Sequence, residues 1–368
     1  MTPSRLRATV SFDLDDLWTY LKTRGDAAWV SYPSYLPVVV PRALSLLEEL
    51  ALPITFFVVG RDAAAPVNAH WMRALASHGH GIGNHSYEHD CWLHRYHHDD
   101  LEADIRRAEE SIEAATGRRP RGFRGPGFSW STDLLEILAA RGYSYDASTL
   151  PTVVGPLARM YFLWSAGLTS EQRQERKALF GTFGDAVRPL EPYWWELKSG
   201  RRLLEIPVTT MPVTRLPFHL SYLLYLASYS MSMMKAYLNT ALGLCLACRV
   251  EPSFLLHPLD FLGPTEAPGL AFFPGMKVSP EHKAEVFRYA LGRIQRHFDI
   301  VTLESFADQV ARSSTLPLRR AHRSFGASSR PFGAGANAGL DTPLAASAPF
   351  DSHQSRLSHA DIEVHREA

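Results

Sequence analysis

The sequence predicts an α/β fold in which successive βα units build a parallel sheet, closed or part-closed as a barrel. Three observations predict it. Short apolar, β-branched runs alternate along residues 7–148 with segments whose apolar residues recur at helical spacing. The run ITFFVVG (54–60) is continuously apolar, as suits a strand buried on both faces. Helix-like segments stop at Gly79 and Gly117, a residue type that readily takes the left-handed conformation at a helix end.

In order, RATVSFD (7–13) reads as a strand, PRALSLLEELA (41–51) as a helix and 54–60 as the next strand. HWMRALASHGH (70–80) reads as a helix, and GIGNHS (81–86) as a short strand running into a turn. DDLEADIRRAEESIEAATG (99–117) is amphipathic, with acids at its start, where the helix dipole favours them. RGFRGPG (121–127), STDLLEILAARG (131–142) and YSYDAS (143–148) continue the alternation. It lapses between about 150 and 201, then resumes with LLEIPVT (203–209), SFLLH (253–257), PEHKAEVFRYALGRIQRHF (280–298) and DIVTLESFADQVA (299–311). In such barrels, functional groups gather where the strands end.

This places one barrel domain on residues 1–312, with a helical insertion at 150–250 near the barrel mouth. Within it, residues 216–250 carry only Lys235 as a charge before Arg249. A spanning helix needs about 20 predominantly apolar residues, and Pro217, His219, Lys235 and Asn239 interrupt this run. Two packed helices over the mouth are expected. A hairpin in peripheral contact with a membrane and a spanning helix are the alternatives. Residues 313–368 turn to Ser, Ala, Arg, Gly and His without periodicity. They cannot bury enough apolar surface to offset ordering entropy, so a disordered tail is expected.

The 38 Lys+Arg balance the 38 Asp+Glu, so no global field draws the chain to nucleic acid. Three cysteines in 368 residues make no disulfide framework, and Cys245 and Cys248 read as buried thiols of an apolar run. MTPSRLRAT (1–9) has no secretory h-region, which sets the expectation of a cytoplasmic enzyme, with the inner membrane face as an option.

Four segments carry chemistry. In SFDLDD (11–16), strand alternation turns Asp13 and Asp15 one way and Leu14 the other. Neighbouring carboxylates repel unless a cation intervenes or one is protonated, and a cation lets both stay charged. Asp16 falls on the other face or in the loop, where capping would use it. In GNHSYEHD (83–90), His85 and His89 stand four apart; on a helical turn they would share a face and hold one metal. The H-E-x-x-H order of zinc proteases is not followed, because Ser86 comes after His85 and Glu88 sits beside the second histidine. His94, His97 and His98 read as surface residues and Cys91 as a packing thiol. In GFRGPGFSW (122–130), Arg124 at a strand end can orient a carboxylate, and the G-P-G turn can bring amides to an oxyanion. In FLLHPLDF (254–261), His257 ends an apolar strand and becomes the candidate general acid in the company of the other segments, with Asp260 placed to orient it.

With these motifs in this order, the chain resembles the polysaccharide deacetylase family, also called NodB-like or carbohydrate esterase family 4. The resemblance covers about residues 7–148 and 203–312 and rests on SFDLDD, NHSYEH, FRGPG and FLLH. It implies a distorted (β/α) barrel, usually of seven strands, and metal-dependent hydrolysis of N-acyl or O-acyl groups. Carried over, it makes Asp13 the base, Asp15, His85 and His89 the ligands of a divalent metal (zinc first), Arg124 the support of the base and His257 the general acid. The Gly127 amide falls near the family's oxyanion donor. The commonest family form has adjacent aspartates followed by Gly, whereas Leu14 separates Asp13 from Asp15 here, which marks a D-x-D subgroup. The usual Tyr of the third motif is replaced within G-P-G-F, and the fourth motif has no match.

The partner implied is an acylated sugar, free or lipid-linked, as in cytoplasmic subgroups acting on cyclic amides, small sugars or lipid-linked sugars. Competing readings are a non-catalytic glycan- or lipid-binding module that keeps the barrel, and a cyclic-amide hydrolase of the same fold. A two-histidine, one-carboxylate iron oxygenase would call for an all-β jelly roll rather than this alternation.

Overall fold

The fold was described from a computed structural model, which covers residues 5–154, 187–270, 273, 275–313 and 315–321. β1 (Arg7–Leu14) shows how the sequence builds it. Its residues Ala8, Val10, Phe12 and Leu14 join the main apolar core with Leu36, Val39 and Leu291 of the surrounding helices. The alternate residues Thr9, Ser11 and Asp13 are also buried, and strand alternation turns them to the other face, the barrel interior.

Among the described residues, β1 is followed by α1 (Leu17–Arg24), α2 (Leu36–Glu49), β2 (Thr55–Val58), α3 (Gly60–Ala64), α4 (Ala69–Ser77) and β3 (Gly81–Asn84). Next come α5 (His98–Thr116), β4 (Gly122–Phe123), α6 (Thr132–Ala140), β5 (Tyr145–Asp146), β6 (Tyr193–Glu196) and β7 (Arg202–Glu205). The chain continues through α7 (Leu220–Ala227), α8 (Met231–Ala247), β8 (Ser253–Leu256), α9 (Pro280–His297), β9 (Asp299–Val301), α10 (Leu303–Val310) and β10 (Leu318–Arg320).

The strand order is β10-β6-β7-β5-β4-β3-β2-β1-β8, with β9 also on β1. Every pairing is parallel except β6 with β7. Just past β7, Thr209 N donates to Ser253 O at 3.0 Å, and Ser253 N returns to Thr209 Oγ1 at 2.8 Å. That junction brings β7 back to β8, so β1, β2, β3, β4, β5, β7 and β8 curl into a seven-strand distorted barrel. β6, β9 and β10 are attached at its margins.

One end of the interior is plugged. Leu303, Phe306, Ala307 and Val310 of α10 pack on Phe57, Tyr145, Leu204 and Ile206, and Leu303 N donates to Thr55 Oγ1 where β2 begins. Phe57 lies across β3 because residue 83 is glycine: a Cβ there would stand 2.4 Å from the Phe57 ring. The carboxyl ends of the strands are left for the site.

Three differences from expectation have physical reasons. The expected helical insertion at 150–250 also holds β6 and the barrel strand β7, whose Leu203 and Leu204 are buried as strand residues. α2 begins at Leu36, with Pro41 inside it rather than at its start. The anchor is tertiary, since Tyr35 N donates to Asp16 Oδ1 at 3.0 Å. Residues 318–320, expected in a disordered tail, form β10 on the free edge of β6, where Trp194 N donates to Pro317 O at 2.8 Å. An edge strand offers unpaired N–H and C=O groups, so this pairing needs little apolar surface. The rest of the expected tail, residue 314 and 322–368, and residues 155–186 of the insertion lie outside the described residues.

Residues 216–250 contribute two packed helices, as expected, with Leu223, Leu224, Met234, Leu238 and Leu242 joining the main core. Cys245 is buried with them, but Cys248 caps α8 beyond its buried face and is exposed, against expectation. Among the described residues, no helix is long and apolar enough to cross a membrane.

Candidate active site

Asp15, His85 and His89 converge beyond the ends of β1 and β3, all three buried. Asp15 Oδ1 stands 3.0 Å from His89 Nε2 and 3.2 Å from His85 Nε2. A tetrahedral ion with bonds of about 2.0–2.2 Å sets its ligand atoms roughly 3.3–3.6 Å apart. The two distances fall slightly short of that, and all three ligand atoms lie within 4.8 Å of one another, so a small outward adjustment would seat one metal ion. His85 Nδ1 faces the Arg124 carbonyl oxygen at 2.6 Å and can only donate to it, which leaves the Nε2 lone pair turned to the trio. His89 Nδ1 has no such partner among the described residues. Burial pushes the Asp15 carboxyl up, but the charges and hydrogen bonds of His89 and His85 outweigh it and hold the group well below the usual carboxylate range.

The two histidines are not on a helical turn, contrary to expectation. Ser86 and His89 have φ of 64° and 50°, so residues 85–90 form an irregular loop. Side-chain acceptors displace helical hydrogen bonds there. Asn84 Oδ1 takes Ser86 N at 2.8 Å, Ser86 Oγ takes His89 N at 3.0 Å, and Asp104 of α5 takes Tyr87 N and Glu88 N. Asp16 does not join the trio. Its Oδ1 accepts Leu17 N at 2.7 Å and caps α1.

Asp13 is held by Arg124, which is fully buried. Arg124 Nη1 donates to Asp13 Oδ1 at 2.6 Å and to Ser11 Oγ at 2.8 Å, while Nε donates to Ala147 O at 3.0 Å. Its Cζ sits 4.3 Å over the Phe57 ring. Three hydrogen bonds and an aromatic face fix the guanidinium, and the opposite charge offsets the cost of burying the Asp13 carboxylate.

His257 follows β8, partly exposed, with Asp260 buried beneath it. Asp260 Oδ2 accepts His257 N at 2.9 Å, and Oδ1 accepts Ser221 Oγ at 2.7 Å. Burial raises the Asp260 pKa, opposed by the His257 charge and these hydrogen bonds. Tyr20 stands between the two halves. Its hydroxyl lies 3.4 Å from Asp15 Oδ2, and burial with the charges of Asp15, Asp260 and Asp13 pushes the phenol well up, so it remains a donor. Gly127 takes φ 58° in the turn after Arg124 and packs against Cys91, whose thiol burial pushes up to about 12. Cys91 is therefore a packing thiol. His94, expected at the surface, is buried with Nδ1 2.6 Å from Ser129 Oγ.

Sequence reasoning missed Tyr20, His219 and Ser221. Aromatic enrichment over residues 15–35 is the only trace of Tyr20. His219 and Ser221 leave none, because polar residues at a helix start read as caps. His219 is buried, its ring 6.0 Å from that of His257; burial, helped by the charges of His257 and Arg124, pushes it down to about 3.

Residues 21–145 match the polysaccharide deacetylase family. That stretch includes His85, His89, Arg124 and Gly127; Asp13, Asp15 and His257 lie outside it. The chain is 28% identical over 111 residues to a peptidoglycan deacetylase of Helicobacter pylori, covering 30% of this chain and 37% of that protein. It is 33% identical over 103 residues to a chitooligosaccharide deacetylase of Azorhizobium caulinodans, covering 28% and 48%. The matched stretch thus spans less than half the length of either relative. A Mycobacterium smegmatis protein assigned as a polysaccharide deacetylase superposes at a TM-score of 0.55 with 19% identity, over 90% of this chain and 96% of that one, which shows a shared fold.

Proposed function

We propose, on the premise that the match of residues 21–145 marks a domain of the polysaccharide deacetylase family, that the chain is a metal-dependent hydrolase removing an acetyl or formyl group from an N-acylated amino sugar or related glycan intermediate. One observation carries the reading: the buried Asp15–His85–His89 trio, spaced for one ion, stands beside a carboxylate, Asp13, clamped by a buried arginine.

A divalent ion held by that trio, zinc in our reading, would supply a Lewis acid for the acyl carbonyl and lower the pKa of water toward about 7. Asp13, fixed by Arg124, takes the proton of the attacking water as its oxygen bonds to the acyl carbon. The Gly127 amide is assigned to the oxyanion, a donor of a kind worth about 2.7–4 kcal/mol in comparable sites. His257 gives a proton to the leaving nitrogen as the C–N bond breaks, so the amine departs neutral.

The reading is tested by measuring acetate and formate release from N-acylated amino sugars with and without chelator. Release that a chelator abolishes and added Zn²⁺ restores is expected. Metal binding without release from any acylated amino sugar would favour the non-catalytic glycan-binding module instead. A lipid-linked sugar is a narrower substrate reading. It rests on Tyr225, Tyr229 and Met233, which lie exposed on and between α7 and α8, and vesicle flotation tests it.

A further inference from the structure

His257 belongs to the barrel, but its ring is addressed from the helical insertion. Ser221, near the start of α7, donates its hydroxyl proton to Asp260 Oδ1 at 2.7 Å. The other oxygen of that carboxylate accepts the His257 backbone N–H at 2.9 Å, so Asp260 is gripped from both sides. A serine hydroxyl has one proton and two lone pairs. With the proton committed to a carboxylate, the oxygen can only accept from His257 Nδ1, 3.4 Å away. Nδ1 must then carry hydrogen, which leaves Nε2 as the ring nitrogen that gives up and regains a proton. The contact is long, as catalytic hydrogen bonds are before substrate closes the site.

The surroundings favour the same arrangement. Lys283 of α9 donates from Nζ to Leu259 O and Leu262 O at 2.6 Å each, bracing the turn that carries Asp260. His219, the residue before α7, is neutral at ordinary pH and adds no charge beside the ring.

We propose that Ser221 is a positioning residue for the general acid: an Asp260–Ser221–His257 relay holds the Nδ1–H tautomer and aims Nε2 at the leaving nitrogen. α7 is then part of the catalytic apparatus as well as of the apolar core. The proposal rests on the reading of His257 as the acid.

Two variants and two readouts test it in the full chain with Zn²⁺ added. Ser221→Ala removes the hydroxyl, and Ser221→Thr keeps it. The first readout is the His257 ring tautomer by ¹⁵N NMR, which needs no turnover. Wild type and S221T should hold the Nδ1–H form, and S221A should lose it. The second is acyl release from an N-acetyl amino sugar against an aryl acetate, whose phenolate leaves without protonation. S221A should lose about tenfold or more in kcat on the amide with KM little changed, and about threefold or less on the ester, with S221T restoring the amide rate.

An unchanged tautomer in S221A, or equal loss on both substrates, would overturn the relay. A wild-type protein inert on both substrates would overturn the deacylase reading and the acid role with it, while the tautomer readout still decides whether Ser221 sets the ring.

Discussion

The carbonyl oxygen of Arg124 accepts a hydrogen bond from His85 Nδ1 at 2.6 Å. The same arginine clamps Asp13 through its side chain, also at 2.6 Å. One residue therefore orients a candidate metal ligand with its backbone and the candidate base with its guanidinium. The two tasks separate by mutation, because only the second depends on the side chain.

Arg124→Lys keeps the carbonyl but loses the fork that reaches Asp13, Ser11 and Ala147 together. Zn²⁺ affinity measured by calorimetry should stay within about threefold, while kcat falls about a hundredfold. Lysine keeps a positive charge beside Asp13 but leaves buried hydrogen-bond partners of the fork unpaired, at about 1–3 kcal/mol each, so denaturant unfolding should shift as well. A Zn²⁺ affinity that falls in step with kcat would show that the side chain, not the carbonyl, supports His85.

Asp15 and Asp16 are adjacent but employed differently. Asp16→Ala removes the cap of α1 and the tie to Tyr35, at a cost of about 0.5–2 kcal/mol, with bound metal retained. Asp15→Ala should lose the metal. Metal content after dialysis, alongside unfolding curves for both variants, checks the assignment. Metal retained by Asp15→Ala and lost by Asp16→Ala would reverse it.

Gly127 sits at φ 58°, and a Cβ there would meet Cys91 Cβ and Sγ at 3.2 Å. Gly127→Ala should cost about 1–3 kcal/mol from backbone strain, plus the close contact. Adding Cys91→Ala removes Sγ but keeps Cβ, so it should recover only the Sγ share of the contact, which a double-mutant cycle in denaturant measures.

Two buried imidazoles set the acid side of stability. His80 is pushed down to about 4 and His219 to about 3, first by burial, from an ordinary value of 6.5. Below pH 6.5 the unfolded chain takes up protons that the folded chain refuses. Stability should therefore fall with acid from pH 6.5 down to about 4 for His80 and about 3 for His219, then level. His80→Gln should flatten the upper part of that slope in urea unfolding across the pH range. An unchanged slope would place the cause elsewhere.

The barrel and much of the site were legible in the sequence because their signals are local. Apolar runs and amphipathic periods mark β1 to β5, and Asp13, Asp15, His85, Arg124 and His257 each sit at or just past a strand end, where a parallel sheet gathers them. The His85–His89 geometry was not legible, because the acceptors that replace a helical turn come partly from Asp104, 15 residues beyond His89 in the chain. β10 was hidden because edge pairing needs little apolar pattern. Ser221 and His219 were hidden because their partner, His257, is brought to them only by packing of the insertion on β8.

The central claim is that Asp13 moves the proton while Asp15, His85 and His89 hold the metal, and Asp13→Asn tests it most directly. Metal stoichiometry and acyl release should be measured on the same preparation. We predict one ion per chain bound as in wild type, with turnover down about 10²–10⁴-fold. A variant that keeps the wild-type rate, or loses its metal along with its activity, would contradict the account.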